Sequence, residues 1–319
     1  MSQPTPAKPE TTRLAPSPTG ALHLGNARTF LVNWALARRL GWRVILRIED
    51  LDTPRNKPGA AGALIDTLRW LGLDWDSGPT IQSADLTPYA AAMRSLASRA
   101  LTYPSELTRG QVEAVASAPQ DGSHETPFPA SLRPPIGPRG FDDPGTNWRF
   151  ATPPGPLAFD DEFAGPQRHD VSATVGDFVI WTRRGQPSYQ LAVVVDDHRQ
   201  GVTRVVRGDD LLDSAARQLL LYRALGHAPE PRYIHLPLVR GADGKRLAKR
   251  HGDTRIDTYR AAGATPERVI GLVAFWSGAL DRRTPMSASE FRSALDLARV
   301  PRKDVTFTPE DHAWLLNRA

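Results

Sequence analysis

A short histidine motif stands where a strand and a Pro/Gly turn give way to a helix. His23, Gly25 and Asn26 belong to the run His-Leu-Gly-Asn at that helix start. Unpaired amides and the helix dipole favour an anion there. His23 and Asn26 can donate to phosphate oxygens, and Gly25 lets a ligand approach the backbone. The motif predicts a phosphate site, although these residues also suit a histidine that merely packs in a turn.

A second basic element is a loop bounded by glycines at residues 241–252. It carries Lys245, Arg246, Lys249 and Arg250 within a few positions of one another. Such a composition is typical of a phosphate clamp, because several cations can close on one polyanion. A solvated surface loop is the other interpretation, and the charges alone do not choose between them.

The composition limits the kinds of function that are possible. The chain has 319 residues, 40% of them hydrophobic and 24% charged, with a formal net charge of +5 and no cysteine. The absence of cysteine excludes disulfides, thiolate catalysis and Cys-ligated metal sites. Residues 1–10 lack the apolar centre of a secretion signal and predict a disordered lead-in. We expect a cytoplasmic monomer with no membrane association and, from its basic charge, a polyanionic partner.

The elements that must position these residues alternate between strand and helix. A strand at 12–15, a helix at 26–40 that Gly41 ends, and a strand at 43–50 predict a βαβ unit. Prolines and glycines crowd residues 119–156 and predict an inserted, loop-rich subdomain. The remaining predictions are a helix at 60–73, strands at 177–182, 189–195 and 203–208, a helix at 211–225, and helices beyond His251. The class is therefore α/β, with one sheet split by an insertion.

Taken together, the two basic elements resemble the HIGH and KMSKS signatures of class I aminoacyl-tRNA synthetases. Four segments are similar, in the right order, to the glutamyl-tRNA synthetases in particular. They are residues 13–28, 46–52, 206–212 and 246–252. The resemblance implies a Rossmann-type class I catalytic core split by an inserted subdomain and followed by a short helical C-terminal region. The expected boundaries are 1–10 for the lead-in, 11–101 and 187–252 for the core halves, 102–186 for the insert and 253–319 for the C-terminal region.

The resemblance also implies roles for single residues. Glutamate has two carboxylates and one amine, so its pocket needs cations and an anion. The implied glutamate-binding residues are Arg13, Ala15, Ser17, Glu49, Tyr189 and Arg207, with Glu49 facing the α-amino group. The implied ATP-binding residues are His23, Gly25, Asn26, Arg246, Lys249 and Arg250, of which His23, Asn26 and Lys249 are the expected catalytic groups. ATP and Mg²⁺ are the implied cofactors, and no protein ligand for Mg²⁺ is identifiable. Ala248 stands at the usual serine of the KMSKS loop.

The stretch after Gly252 is too short for the anticodon-binding region of full-length glutamyl-tRNA synthetases. The chain thus resembles the truncated branch of that family, the glutamyl-queuosine tRNA(Asp) synthetases. These enzymes attach L-glutamate to a ring hydroxyl of the queuosine base in the anticodon loop of tRNA(Asp). The resemblance implies glutamate, ATP and queuosine-containing tRNA(Asp) as substrates of a ligase-type enzyme.

The inserted subdomain departs from that branch at its zinc site. Ser105, Leu107, Phe128 and Leu132 stand at or near the positions where metal ligands are expected. Leucine and phenylalanine cannot bind a metal, so no zinc is expected. An apolar cluster of Leu107, Phe128 and Leu132 is the predicted substitute for the lost site.

Three other functions stay open at this stage. A truncated glutamyl-tRNA synthetase could charge the 3′ end of tRNA(Glu). A degenerate paralogue could bind only nucleotide or RNA, although intact His23, Glu49, Arg207 and Lys249 oppose decay. A small-molecule nucleotidyltransferase could share the histidine helix start, which the glutamate-pocket residues disfavour.

Overall fold

The structure is a computed structural model that describes residues 9–107, 109–115, 126–245, 247 and 254–317. Most of the predicted lead-in lies outside these ranges. Arg246, Ala248, Lys249 and Arg250 of the predicted KMSKS-like loop also lie outside the described residues. Within the described residues the chain alternates between strands and helices. The strands are β1 (Thr11–Leu14), β2 (Arg43–Ile48), β3 (Ser77–Ile81), β4 (Thr102–Pro104), β5 (Trp148–Phe150), β6 (Leu157–Asp161), β7 (Gly165–His169), β8 (Val179–Thr182), β9 (Gln186–Pro187), β10 (Arg204–Gly208), β11 (Arg232–Leu236), β12 (Val239–Arg240) and β13 (Val305–Thr306).

The helices flank these strands in the order expected for an α/β protein. They are α1 (Leu24–Leu40), α2 (Ala60–Trp70), α3 (Thr87–Ser98), α4 (Arg109–Val115), α5 (Val171–Thr174), α6 (Tyr189–Arg199), α7 (Leu212–Leu225), α8 (Ile256–Ala261), α9 (Pro266–Trp276), α10 (Ala288–Ala294) and α11 (Pro309–Leu315). The first predicted βαβ unit is therefore present as β1, α1 and β2. Gly41 ends α1 with φ +69°, a left-handed conformation that glycine adopts without steric cost.

The core sheet is split into two halves that lie side by side. One half has the strand order β1-β2-β3 and the other β10-β11-β6-β7. All neighbouring pairs are parallel except the β6–β7 hairpin. The halves meet where the Thr203 amide donates to the Thr11 carbonyl at 2.9 Å and the Thr11 amide donates to the Thr203 hydroxyl at 2.9 Å. This arrangement confirms the prediction of one sheet interrupted by an insertion, as in a Rossmann-type core.

The prediction of a strand at 189–195 is wrong, because this segment forms the first part of helix α6. Val193, Val194 and Val195 suggested a buried strand, but the apolar run continues into a helix that ends at Arg199. The helix is buried on nearly all sides, between α3, α7 and β8, so it shows no amphipathic period. A short β-branched run cannot be told from a buried helix by periodicity alone.

The predicted insert contains an antiparallel sheet with the strand order β4-β5-β8-β9. The β6–β7 hairpin also comes from this part of the sequence, yet β6 pairs with β11 of the core at Asp161 and Tyr233. Two strands from the predicted insert, β6 and β7, therefore extend the core sheet. The boundaries given for the subdomains stay a prediction.

The C-terminal region is mainly helical and packs on the core. Helix α1 contacts both α9 and α10, and their apolar side chains share one buried cluster with β1 and β2. One short strand is added, because β13 pairs in parallel with β12 at Val239–Val305 and Arg240–Thr306. Among the residues described, none of the helices has the length and apolar character needed to cross a bilayer.

Candidate active site

The histidine motif lies at the start of α1, as predicted, and touches the chain that follows the cationic loop. His23 Nδ1 lies 3.2 Å from the hydroxyl oxygen of Thr254, and the Leu24 amide donates to the Thr254 carbonyl at 3.1 Å. The Ile256 amide donates to the Leu22 carbonyl at 2.8 Å. The exit of the loop is therefore fixed beside His23. The contact of Thr254 with Nδ1 helps to orient the His23 ring.

The entry of the same loop also lies against the start of α1. A Cβ atom added at Gly25 would lie 3.6 Å from the Cβ of Val239 in β12, an ordinary contact distance, so the start of α1 and β12 are adjacent. Leu247, within the loop, is buried in the core cluster with Val239. Asn26 is exposed and free of the core. The structure thus brings together His23, Gly25 and both ends of the loop that carries the predicted lysine and arginines.

The predicted glutamate residues gather where β1, β2 and β10 approach helix α6. Arg13 and Arg207 are buried within β1 and β10, and Glu49 directly follows β2. Ala15 and the exposed Ser17 follow β1, and the Glu49 amide donates to the Pro16 carbonyl between them at 3.0 Å. Tyr189 begins α6 with 38% of its surface exposed. Burial raises the pKa of the Tyr189 phenol, and the charges of Arg207, Glu49 and Arg13 also act on this pKa, which indicates that the four side chains are near one another.

A buried ion-pair cluster, the Arg47 network, supports two of these residues. It comprises Arg47, Glu49, Asp196, Asp197 and Arg13. The Arg47 guanidinium is fully buried and lies 3.0 Å from Glu49 Oε1 and 2.8 Å from Asp197 Oδ1. Asp197 Oδ1 also lies 3.5 Å from Arg13 Nε, and Asp196 lies 3.8 Å from Arg47 Nε. Arg47 therefore joins the predicted anion and one predicted cation of the pocket.

The pKa shifts in this network follow from its burial and its charges. Burial alone would lower the pKa of Arg47, but Asp197, Glu49 and Asp196 raise it, so the guanidinium stays charged. Burial raises the pKa of Glu49, although Arg47 and Arg13 act in the opposite direction. A further cation beside Glu49 would therefore stabilise its ionised form, and the ammonium group of an amino acid is such a cation.

Arg207 is held by three partners in the described part of the chain. Its Nε donates to His235 Nε2 at 2.9 Å, its Nη1 to Gln218 Oε1 at 2.9 Å, and its Nη2 to the Leu211 carbonyl at 3.2 Å. A guanidinium has five N–H groups, so each terminal nitrogen keeps one for a ligand. A carboxylate can accept hydrogen bonds from the N–H groups of a guanidinium, so Arg207 is suited to bind one.

Sequence reasoning missed several supporting residues of this site: Arg47, Asp161, Asp196, Asp197, Gln218 and His235. The pair Asp196-Asp197 ends an apolar run and was a usable signal, because two buried carboxylates require cations. The misassigned strand at 189–195 concealed it. His235 and Asp161 gave no local signal, since their contact depends on the pairing of β11 with β6.

The region of the expected zinc site holds a second buried cluster, the Asp177 network. It comprises Asp177, Tyr103, Arg133, Arg149 and Thr152. Asp177 accepts from the Tyr103 hydroxyl and Arg133 Nε at 2.6 Å and from the Thr152 amide at 2.9 Å, and its own carbonyl accepts from Arg149 at 2.6 Å. The described residues contain no group of three or more His, Cys, Asp or Glu side chains placed to hold a metal.

The residues at the expected ligand positions lie near this network. Ser105 and Phe128 are buried, whereas Leu107 and Leu132 are half-buried. The Arg149 guanidinium lies 4.1 Å from the centre of the Phe128 ring. Leu107 and Phe128 border one cavity of about 510 Å³ that reaches Tyr189. The apolar substitute for the zinc site stays a prediction. The polar Asp177 network in the same region was not predicted.

Comparison with known proteins agrees with this geometry. The profile of the family described as "tRNA synthetases class I (E and Q), catalytic domain" matches residues 10–310. A Glutamyl-Q tRNA(Asp) synthetase from Symbiobacterium thermophilum is 48% identical over 317 residues, which cover 95% of this chain and 97% of the relative. One from Rhodopirellula baltica is 47% identical, with 83% of this chain and 84% of the relative covered.

A solved structure gives the same result for the fold. The glutamate-tRNA synthetase of Elizabethkingia anophelis superposes with a TM-score of 0.79 at 27% identity, covering 97% of this chain and 70% of that one. The resemblance to the glutamyl-tRNA synthetases and the Rossmann-type core are thereby confirmed. With the family profile matched across nearly the whole sequence, this chain belongs to the class I tRNA synthetases of the glutamate and glutamine (E and Q) type.

Proposed function

We propose that this enzyme activates L-glutamate with ATP and transfers it to the queuosine base in the anticodon loop of tRNA(Asp). The observation that carries the proposal is 48% identity across 97% of a relative named Glutamyl-Q tRNA(Asp) synthetase. The assembly of Arg13, Glu49, Arg207 and Tyr189 around one site supports glutamate as the amino acid. We further propose that the enzyme is a cytoplasmic monomer.

In the proposed pocket each charge of glutamate meets its opposite. The Arg207 guanidinium, with one N–H left on each terminal nitrogen, binds one carboxylate. Glu49 binds the α-ammonium group, which compensates for its burial. Arg13 supplies the second cation, while Ser17, the Ala15 backbone and the Tyr189 hydroxyl line the pocket. The pocket would reject an uncharged side chain because a buried guanidinium would then lack its anion.

The first chemical step joins glutamate to AMP. The α-carboxylate attacks the α-phosphate of ATP, a P–O bond forms, and pyrophosphate leaves with its bonding electrons. Negative charge grows on the phosphoryl oxygens, so donors that stabilise this charge accelerate the step. His23 and Asn26 at the start of α1 and Lys249, with Arg246 and Arg250, are the proposed donors. Mg²⁺ would accompany ATP as a complex with its phosphates.

The second step moves the glutamyl group to tRNA. A ring hydroxyl of queuosine attacks the carbonyl carbon of the adenylate, the ester forms, and AMP leaves. The cavity of about 510 Å³ beside Tyr189 gives the acceptor room to reach this carbonyl. Its lining includes Ser188, Tyr189 and Gln190 from the core and Arg149 from the insert.

Transfer of radiolabelled glutamate tests the proposal directly. The acceptors are tRNA(Asp) with and without queuosine, and tRNA(Glu), each mapped afterwards by nuclease digestion. We expect label only on queuosine-containing tRNA(Asp), in the anticodon-loop fragment. Label at the 3′ end of tRNA(Glu) would contradict the acceptor but keep glutamate activation. Absence of glutamate-dependent ATP–pyrophosphate exchange would contradict both.

The role of Lys249 has its own test. We expect Lys249→Ala to lower the exchange rate at least tenfold, about 1.4 kcal/mol of transition-state stabilisation, because a cation near the leaving pyrophosphate is lost. Lys303→Ala is the matched control, since it removes an exposed lysine outside the loop. We expect it to change the rate less than about twofold, and equal losses in both variants would refute a specific role for Lys249.

A further inference from the structure

Three side chains from three neighbouring strands form a buried chain of hydrogen bonds behind the proposed glutamate pocket. Asp161 ends β6, His235 lies in β11, and Arg207 lies in β10. The register places Arg207 directly opposite His235, and Tyr233 opposite Asp161. All three side chains are nearly inaccessible to water. We call them the Asp161–His235–Arg207 relay.

The contacts fix the protonation of each member. Asp161 Oδ2 lies 2.6 Å from His235 Nδ1, while Asp161 Oδ1 accepts from the amides of Phe163 at 2.9 Å and Ala164 at 2.6 Å. Burial would raise the pKa of Asp161, but the bonds from His235 and these amides lower it below its ordinary value. An ionised carboxylate only accepts, so the hydrogen of the imidazole is on Nδ1.

The other face of the imidazole is then an acceptor. Burial lowers the pKa of His235 and the charge of Arg207 also lowers it, while Asp161 and the Leu211 backbone offset these effects only in part. The ring is therefore neutral, with a lone pair on Nε2. That lone pair accepts the Nε–H of Arg207 at 2.9 Å. Because Arg207 always carries this hydrogen, only the Nδ1–H form of His235 can bind it.

Fixing Nε fixes the plane of the whole guanidinium. Nη1 and Nη2 are held in turn by Gln218 and the Leu211 carbonyl, so Arg207 has partners on all three nitrogens. We infer that Asp161 and His235 are positioning residues for Arg207, and that the histidine tautomer that Asp161 selects sets the affinity for glutamate. This inference rests on the proposed function, which assigns a glutamate carboxylate to Arg207.

Asp161→Asn is the discriminating substitution because it keeps the shape of the side chain. The amide oxygen would stay at the position of Oδ1, where two backbone amides donate, and the amide nitrogen would face His235 Nδ1. The imidazole would then carry its hydrogen on Nε2, against the Nε–H of Arg207. Two donors would meet, and the guanidinium would turn from its direction.

Steady-state ATP–pyrophosphate exchange measures the consequence. We expect Asp161→Asn and His235→Phe to raise the KM for glutamate at least tenfold while the KM for ATP changes less than about threefold, because only a carboxylate-binding group moves. His235→Gln restores an acceptor near the position of Nε2 and should recover part of the loss. Asp311→Asn, which alters an equally buried carboxylate in the C-terminal region, is the control and should leave the glutamate KM unchanged.

A spectroscopic measurement keeps the inference testable if a variant loses stability. In protein labelled with ¹⁵N-histidine, the His235 signals, assigned by their absence in His235→Gln, should report Nδ1–H in the natural protein and Nε2–H in Asp161→Asn. An unchanged tautomer, an unchanged glutamate KM in folded Asp161→Asn, or equal rises in the KM for glutamate and ATP would each overturn the inference. Wild-type protein without glutamate-dependent exchange would instead contradict the proposed function, whatever the tautomer.

Discussion

The Arg47 network and the Asp177 network are both buried ion-pair clusters, but their centres have opposite charge. In the first, a cation in the core is surrounded by Glu49, Asp196 and Asp197. In the second, an anion in the insert is surrounded by Tyr103, Arg133 and the Thr152 amide. Each centre removes charge from water and so depends on its partners for compensation.

The difference between them lies in how completely the buried carboxylates are compensated. Both carboxylate oxygens of Asp177 accept hydrogen bonds from within the insert, so neither of them lacks a partner. The pKa of Glu49 is raised by burial in spite of Arg47 and Arg13, so its negative charge is only partly compensated. A buried carboxylate can therefore be fully paired within the protein, as Asp177 is, or keep a raised pKa that a further cation would lower, as Glu49 does.

The largest effect is expected from Arg47→Met. The substitution leaves buried carboxylates without their common cation, which costs about 3–5 kcal/mol in the free energy of unfolding. Urea denaturation measures the loss. Arg223→Met is the matched control, because its ion pair with Glu230 is largely exposed and should contribute about 1 kcal/mol or less. Similar losses in both variants would show that the Arg47 network is no stronger than a surface pair.

A smaller effect is expected from Asp177→Asn, which removes the central charge of the Asp177 network. We expect a loss of about 2 kcal/mol in the free energy of unfolding, since hydrogen bonds to a charged group become neutral ones. The KM for glutamate in pyrophosphate exchange should not change. A rise in this KM would mean that the Asp177 network also serves the ligand, and the contrast between the two networks would fail.

The smallest effect is expected from Leu132→Ala. This side chain is only half-buried, so its truncation should cost about 1 kcal/mol or less. If an apolar cluster replaces the zinc site, the cost should instead approach the 2–5 kcal/mol typical of a core leucine. Thermal unfolding of this variant beside Asp177→Asn therefore decides which of the two stabilises the insert.

The fold could be predicted wherever local patterns were strong. The strand-turn-helix order around His23, the end of α1 at Gly41 and the helix at 212–225 all followed from spacing and from turn residues. Helix α6 could not, because residues 190–197 are all buried, which hides any amphipathic period, and its valines favour strands. What decided its form was packing against α3 and α7, which the sequence does not display.

The candidate site divides in the same way. Residues in motifs, such as His23, Glu49 and Arg207, were predicted because their type and order match a known pattern. Arg47 stood inside one of these motifs, yet nothing local distinguished a buried centre from a charged strand residue. Asp161 and His235 are 74 residues apart and meet only through strand pairing. Supporting residues such as Asp161 and His235 are brought together by the pairing of distant strands, so the sequence alone does not reveal them. The predicted ligand-binding residues can be recognised from their residue types and order.

The short pairing of β12 with β13 has a practical consequence for engineering this chain. Asp304 accepts from the Leu238 amide at 2.7 Å and pairs with Arg240, and the Phe307 amide donates to the Arg240 carbonyl at 2.8 Å. The C-terminal region thus stabilises β12, the strand that leads into the cationic loop. A deletion that begins before residue 304 would shorten the protein by only a few helical turns, yet it would remove the strand pairing that holds the entry of the cationic loop. Fusion partners should be attached after α11, because the pairing of β12 with β13 is then kept.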